Sequence, residues 1–156
     1  MINFFLNIFD ALEKQNVNYV LIGGFAINLY GLQRGTQEID LFIENDGNNL
    51  QRLRTALKSI YNDDSINEIT LEELNSYAVI RYGTPDNFNI DIITHIGKLF
   101  NYNDLEYKVI DLSGHKIKIA TVETLLKLKS GSYRQIDISD VIFLKKIIKD
   151  KKNAGL

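Results

Sequence analysis

The segment GGFAINLYGLQRGTQEIDLFIE, residues 23–44, constrains this chain more than any other. A glycine pair closes the apolar run NYVLI and opens a short apolar helix, and an alternating strand, EIDLFIE, follows soon after. Residues two apart on a strand share a face, so Glu38 and Asp40 point one way and Ile39 the other. Two carboxylates side by side are costly to bury unless a positive charge neutralises them. A divalent cation does this well, because Mg²⁺ prefers carboxylate, phosphate and water oxygens. A third acid, Asp91, lies between Ile90 and Ile92 in the strand FNIDIIT. If that strand lies beside EIDLFIE, the three acids converge and could hold two metals roughly 3.5–4 Å apart, the arrangement that serves phosphoryl chemistry. The alternative is an ordinary half-buried strand with its acids turned outward. The glycines favour the first reading: a Gly-Gly turn opening a helix aims backbone N–H groups and a positive helix end at an anion such as phosphate.

The other elements follow from periodicity. Residues 2–15 form an amphipathic helix, with Ile2, Phe5, Leu6, Phe9 and Leu12 on one stripe. FAINLYG is a short helix closed by Gly31. NDGNN is a loop, residues 48–60 form a helix, and Thr70–Glu73 starts another as a capping box. SYAVIRYG and FNIDIIT form a hairpin through TPDN, which contains the only proline. YKVIDLSGHKIKIA forms a second hairpin, turning at Ser113–Gly114. Helices 121–129, capped by Thr121, and 134–150 complete the chain. This order predicts an α/β (α+β) fold: a mixed, mostly antiparallel sheet flanked by helices, with C-terminal helices. The expected organisation is one domain over 1–156, with its core at about 17–119 and a helical segment at about 120–152.

Composition narrows the function. With 156 residues and 45% hydrophobic content, the chain can bury a core. It has no cysteine, so disulfides and thiolate metal sites are excluded, and the expected location is a reducing cytoplasm. The N-terminal run lacks a basic region and a small-residue cleavage site, and no apolar run is long enough for a membrane span. A net charge of −2 leaves nucleic-acid contact to local patches. The basic tail KKIIKDKKNAG reads as a solvated helix end, or alternatively as an electrostatic guide for RNA. His95 and His115 read as surface residues at a strand end and a hairpin turn. Most tyrosines read as packing residues with a wet hydroxyl, while Tyr133 lies in a loop near the presumed site.

With its glycine pair, Arg34-Gly35-Thr36, Glu38-Ile39-Asp40 and the later Asp91, the chain resembles the nucleotidyltransferase superfamily, the DNA polymerase β-like fold. The similarity is closest to small bacterial AbiEii-type toxin-like nucleotidyltransferases. ATVETLLKLKSGSYRQIDISDVIFL resembles that family's trailing segment, so the likeness spans roughly residues 17–145. The resemblance implies that Gly23 and Gly24 cradle a triphosphate and that Asp40, Asp91 and Glu38 carry catalysis and bind Mg²⁺ (or Mn²⁺). Asp91 would also help to activate the attacking hydroxyl. Arg34 and Thr36 would brace the acid strand or touch phosphate, and Lys129 and Arg134 would reach the nucleotide. Asp137 would hold Lys129 or Arg134 in place rather than touch metal. Glu38 departs from the family's usual aspartate. Its extra methylene moves the carboxylate by about 1 Å, a displacement that can cost on the order of 10²-fold in rate.

Two functions follow. One is metal-dependent transfer of a nucleotidyl group from an NTP to a hydroxyl of RNA, protein or a small molecule. The other is a catalytically weak binding module of the same fold, such as a partner in a toxin–antitoxin pair.

Overall fold

In a computed structural model of the protein, the described residues are 2–32, 35–96, 100–129 and 135–154, with side chains described from residue 4 and, in the last segment, from residue 138. The helices are α1 (Ile2–Lys14), α2 (Gly23–Leu29), α3 (Gly47–Ile60), α4 (Leu71–Ser76), α5 (Val122–Lys129) and α6 (Gln135–Asn153). The strands are β1 (Tyr19–Ile22), β2 (Glu38–Ile43), β3 (Ile80–Gly83), β4 (Asn89–Ile93), β5 (His95–Ile96), β6 (Phe100–Asn101), β7 (Tyr107–Leu112) and β8 (His115–Ala120). Six strands form one sheet in the order β3-β4-β2-β1-β8-β7, and β5 and β6 pair separately. Three neighbouring pairs in the large sheet are antiparallel, whereas β2–β4 and β1–β8 are parallel. This is the mixed, mostly antiparallel sheet expected from the alternation of apolar runs and turns.

β1 lies in the middle of the sheet and is buried along its whole length. Helix α1 packs on α3 and β8, α2 on β1 and β2, and α5 on α6. Phe25 of α2 lies 4.5 Å from Phe5 and 6.2 Å from Phe9, ring centre to ring centre, which ties the start of α2 to α1. The local stop signals act as expected. Gly31 adopts φ +119 just past α2, where its N–H bonds to the Asn28 carbonyl at 3.0 Å and the next N–H, from Leu32, reaches Ile27 at 3.4 Å. This pattern closes a helix through a left-handed residue. Thr70 Oγ1 accepts from the Glu73 N–H at 3.2 Å, and Thr121 Oγ1 accepts from the Thr124 N–H at 3.2 Å.

Two features of the fold escape the sequence pattern. His115 does not stand free in its turn: Nδ1 meets Asp10 Oδ1 at 2.6 Å and pins the β7–β8 hairpin to α1. Asn49, in the segment read as NDGNN loop and helix start, is fully buried. Its Oδ1 accepts from the Asn18 N–H at 2.7 Å, and its Nδ2 donates to the Asn18 and Glu44 carbonyls, each at 3.0 Å. One amide thus satisfies three backbone groups where β1 begins and β2 ends. Asn49→Ala would strand those groups, each costing about 1–3 kcal/mol when buried. The expected loss is about 3 kcal/mol in a urea melt with unchanged m-value. A loss below about 1 kcal/mol would show that water replaces the amide.

Candidate active site

The acids converge because β2 and β4 are parallel neighbours in register. Asp40 is the direct partner of Asp91, and Glu38 is that of Asn89. Glu38, Asp40 and Asp91 each place one carboxylate oxygen within 4.8 Å of the others. Ile39 and Ile90, one residue along, point the other way and are fully buried, so the core fixes which face the acids occupy. Thr36 braces the entry to β2: its hydroxyl accepts from the Glu38 N–H at 3.2 Å and donates to the Glu38 carbonyl at 3.3 Å.

Gly23 closes over the same site. It follows Ile22, which pairs with Asp40 across β1 and β2. Its φ is +74, and a Cβ there would fall 1.9 Å from Asp40 Oδ2. The first glycine therefore makes room for the acid as well as opening α2. Gly24 is buried as the second residue of that helix.

The electrostatics are those of crowded negative charge. The Asp40 carboxyl is pushed up to about 7, first by burial, then by the charges of Asp91 and Glu38; Lys129 works in the opposite direction. Lys129, at the end of α5, is thus brought close enough to Asp40 to act on it. It also lies 3.5 Å from Asp140 Oδ2, a fully buried carboxylate on α6. Asp140 therefore holds Lys129, a pairing not assigned from the sequence. The side chain of Asp137 lies outside the described residues, as do Arg34, Tyr133 and Arg134.

Arg81 on β3 belongs to the site and was missed. Its Nε donates to Asp91 Oδ1 at 2.8 Å, and one Nη donates to Asp91 Oδ2 at 3.0 Å and to Glu38 Oε1 at 2.6 Å. Its own pKa is raised, chiefly by the hydrogen bonds and charge of Asp91. The predicted TPDN turn would pair Gly83 with Phe88 and set Arg81 opposite Ile90; the observed register is one residue longer, pairing Gly83 with Asn89, and this brings Arg81 opposite Asp91. His95 of β5, by contrast, has its Nδ1 3.3 Å from the neighbouring Thr94 hydroxyl.

The donor set fits a hard divalent cation. It is all carboxylate oxygen, it spans contact distance, and it draws in whatever positive charge the chain offers. A cleft of about 350 Å³ is lined by Phe4, Phe5, Phe88, Thr36, Gln37, Asp86 and Asn87, and Glu38, Asp40 and Asp91 are not among its lining residues.

The sequence profile of the nucleotidyl transferase AbiEii toxin family, of type IV toxin–antitoxin systems, matches residues 7–128. The chain belongs to the AbiEii family. Solved structures agree on the fold. A lincosamide antibiotic adenylyltransferase, LnuA, solved with lincomycin, is 21% identical over 88% of this chain and 92% of its own, with a TM-score of 0.59. ANT(2")-Ia, solved with adenylyl-2"-tobramycin, is 12% identical over 97% of this chain and 91% of its own, with a TM-score of 0.56. An antigenic nucleotidyltransferase-like protein from Paracoccidioides brasiliensis is 19% identical over 89% of this chain and 72% of its own, with a TM-score of 0.55. No curated protein sequence matches the chain. In this AbiEii-family protein no helix among the described residues is long and apolar enough to cross a membrane.

Proposed function

We propose that this AbiEii-family chain is a divalent-metal-dependent nucleotidyltransferase. The observation that carries the reading is the in-register placement of Asp40 beside Asp91, with Glu38 on the same face. Asp40, Asp91 and Glu38 would hold Mg²⁺ or Mn²⁺, which when bound supplies charge neutralisation at the phosphate oxygens. The protein's own part is positioning and electrostatics, since phosphoryl chemistry asks little covalent work of it. An acceptor hydroxyl attacks the α-phosphorus, its proton passes toward Asp91, and the bond to pyrophosphate breaks. Gly23 and Gly24 give the nucleotide's phosphates a close approach at the start of α2, and Lys129, steadied by Asp140, offers them a cation. Arg34 and Arg134 are proposed to join it. The acceptor class is RNA or protein, in keeping with the toxin–antitoxin setting of the family, and a partner protein would restrain the activity. A small-molecule acceptor is the third option: LnuA is an antibiotic adenylyltransferase solved with lincomycin, and ANT(2")-Ia was solved with adenylyl-2"-tobramycin.

One observation favours a second reading. Glu38, longer than the family's usual aspartate, is engaged by Arg81, which suits a catalytically weak module that binds nucleotide within a toxin–antitoxin pair. Incubation with Mg²⁺ or Mn²⁺ and each α-³²P-labelled NTP, with and without total tRNA, separates the two. The enzyme predicts label on RNA or on the protein itself, absent from an Asp40→Ala/Asp91→Ala control. The binding module predicts no label but a nucleotide-dependent rise in Tm, about 2.7 kcal/mol of stabilisation at a hundred times Kd. Neither label nor stabilisation sinks both.

A further inference from the structure

The acid cluster already has a cation in it, and that cation belongs to the chain. Arg81 forks onto both oxygens of Asp91 and extends the same Nη to Glu38, so it engages two of the three carboxylates. Bidentate guanidinium–carboxylate pairing of this kind is among the stronger and more directional charge contacts. Its side chain is 54% exposed, against 9% for Asp91, so it can leave toward solvent without opening the core. Lys129 differs: it is 17% exposed and close to the buried Asp140.

The register explains why Glu38 is the residue that reaches it. Arg81 faces Asp91 across β3 and β4, while Glu38 sits on β2, beyond β4 and opposite Asn89. The bond to Arg81 therefore crosses an intervening strand on the diagonal. An aspartate at this position would be about 1 Å shorter, the displacement of one methylene. The unusual glutamate and the arginine form one device.

We propose that Arg81 is the resident counter-ion of the acid cluster: it holds Glu38 and Asp91 in place while no divalent ion is bound, and it must give up that place for an ion to enter. This rests on the reading that the cluster takes a divalent cation. Guanidinium and metal compete for the same oxygens, so the affinity for metal is set by the exchange of one for the other. Arg81 is a positioning residue, and its removal should strengthen metal binding while leaving the metal-free acids uncompensated.

The test is Mn²⁺ binding to the full chain, read by the loss of free-ion EPR signal, for wild type, Arg81→Gln, Arg81→Lys and an Asp40→Asn/Asp91→Asn control. Arg81→Gln is expected to bind Mn²⁺ at least about 10-fold more tightly than wild type, with Arg81→Lys between them, since lysine keeps the charge and loses the fork. In wild type, which avoids any folding defect of a variant, the Arg81 Nε–H resonance should exchange slowly without metal and fast with saturating Mg²⁺. If wild type binds Mn²⁺ and Arg81→Gln binds no more tightly, or if the Nε–H stays protected with Mg²⁺, this proposal is overturned and the metal reading stands. If no protein binds Mn²⁺ better than the control, both fall.

Discussion

Asparagine in place of Asp40 is expected to abolish nucleotidyl transfer and, at the same time, to make the protein harder to melt. The activity loss follows from removing the central carboxylate of the cluster, the partner of Asp91 across β2 and β4. Charge stabilisation by a bound cation is worth several kcal/mol, so a fall of at least about 10³-fold is expected. The stability gain follows from the same crowding. Asp40 titrates at about 7 because burial and two neighbouring carboxylates oppose its charge. An unfolded aspartate titrates near 3.9, so between roughly pH 4 and 7 the folded protein keeps a proton that the unfolded chain has lost. The unfolded state then binds fewer protons, and stability falls as pH rises. This contribution is fully present below the unfolded value and has been lost once the pH has passed about 7. Asparagine cannot ionise and removes the slope. Metal-free Asp40→Asn should therefore melt higher than wild type at pH 8, by an amount typical of stabilising changes at active sites, about 1–2 kcal/mol or several degrees. The difference should vanish near pH 4. Thermal melts at both values check it, and a variant that melts lower at pH 8 would mean that Asp40 is held by favourable contacts.

The second large effect concerns a residue with no side chain. Gly23→Ala places a methyl 1.9 Å from Asp40 Oδ2 and 2.7 Å from its Cγ, at a backbone φ of +74. The left-handed conformation alone costs an alanine about 1–2 kcal/mol. The clash cannot be absorbed by a flexible tip, since the atoms in the way are those of a partly buried strand residue. Either α2 shifts or Asp40 turns away. A loss of transfer of about 10²-fold or more is expected, together with about 2–4 kcal/mol of stability. Gly47→Ala is the control: it lies at the start of α3, and its new methyl meets only Leu71 at 3.7 Å, an ordinary contact. It should retain wild-type transfer. Full activity in Gly23→Ala would show that the strand and helix part easily and that the close approach has no role.

The acids were legible in the sequence because each carries its own local evidence: Glu38 and Asp40 alternate with apolar residues, and Asp91 sits between two isoleucines. Their meeting required more, since adjacency of β2 and β4 is a long-range pairing that no local pattern fixes. Arg81 illustrates the limit. It alternates with apolar neighbours like any outward-facing strand arginine, and only the register of the β3–β4 hairpin turns it into a partner of Asp91. Asn49 was hidden for a different reason, because asparagine at a helix start usually signals solvent and turns. The pairing of Lys129 with Asp140 depends on how α6 packs against α5, which charge spacing alone does not determine.

The parallel pairing of β2 with β4 also has a consequence in time. Parallel neighbours cannot be joined by a tight turn, so the chain must leave the acid strand, build α3, α4 and β3, and return before Asp91 can stand beside Asp40. A chain emerging from the ribosome carries Asp40 long before it carries Asp91, and carries both before Lys129. A chain that stops before residue 91 would hold Glu38 and Asp40 but not the third acid of the cluster. Until β4 is added, Asp40 lacks the partner that it has across the two parallel strands.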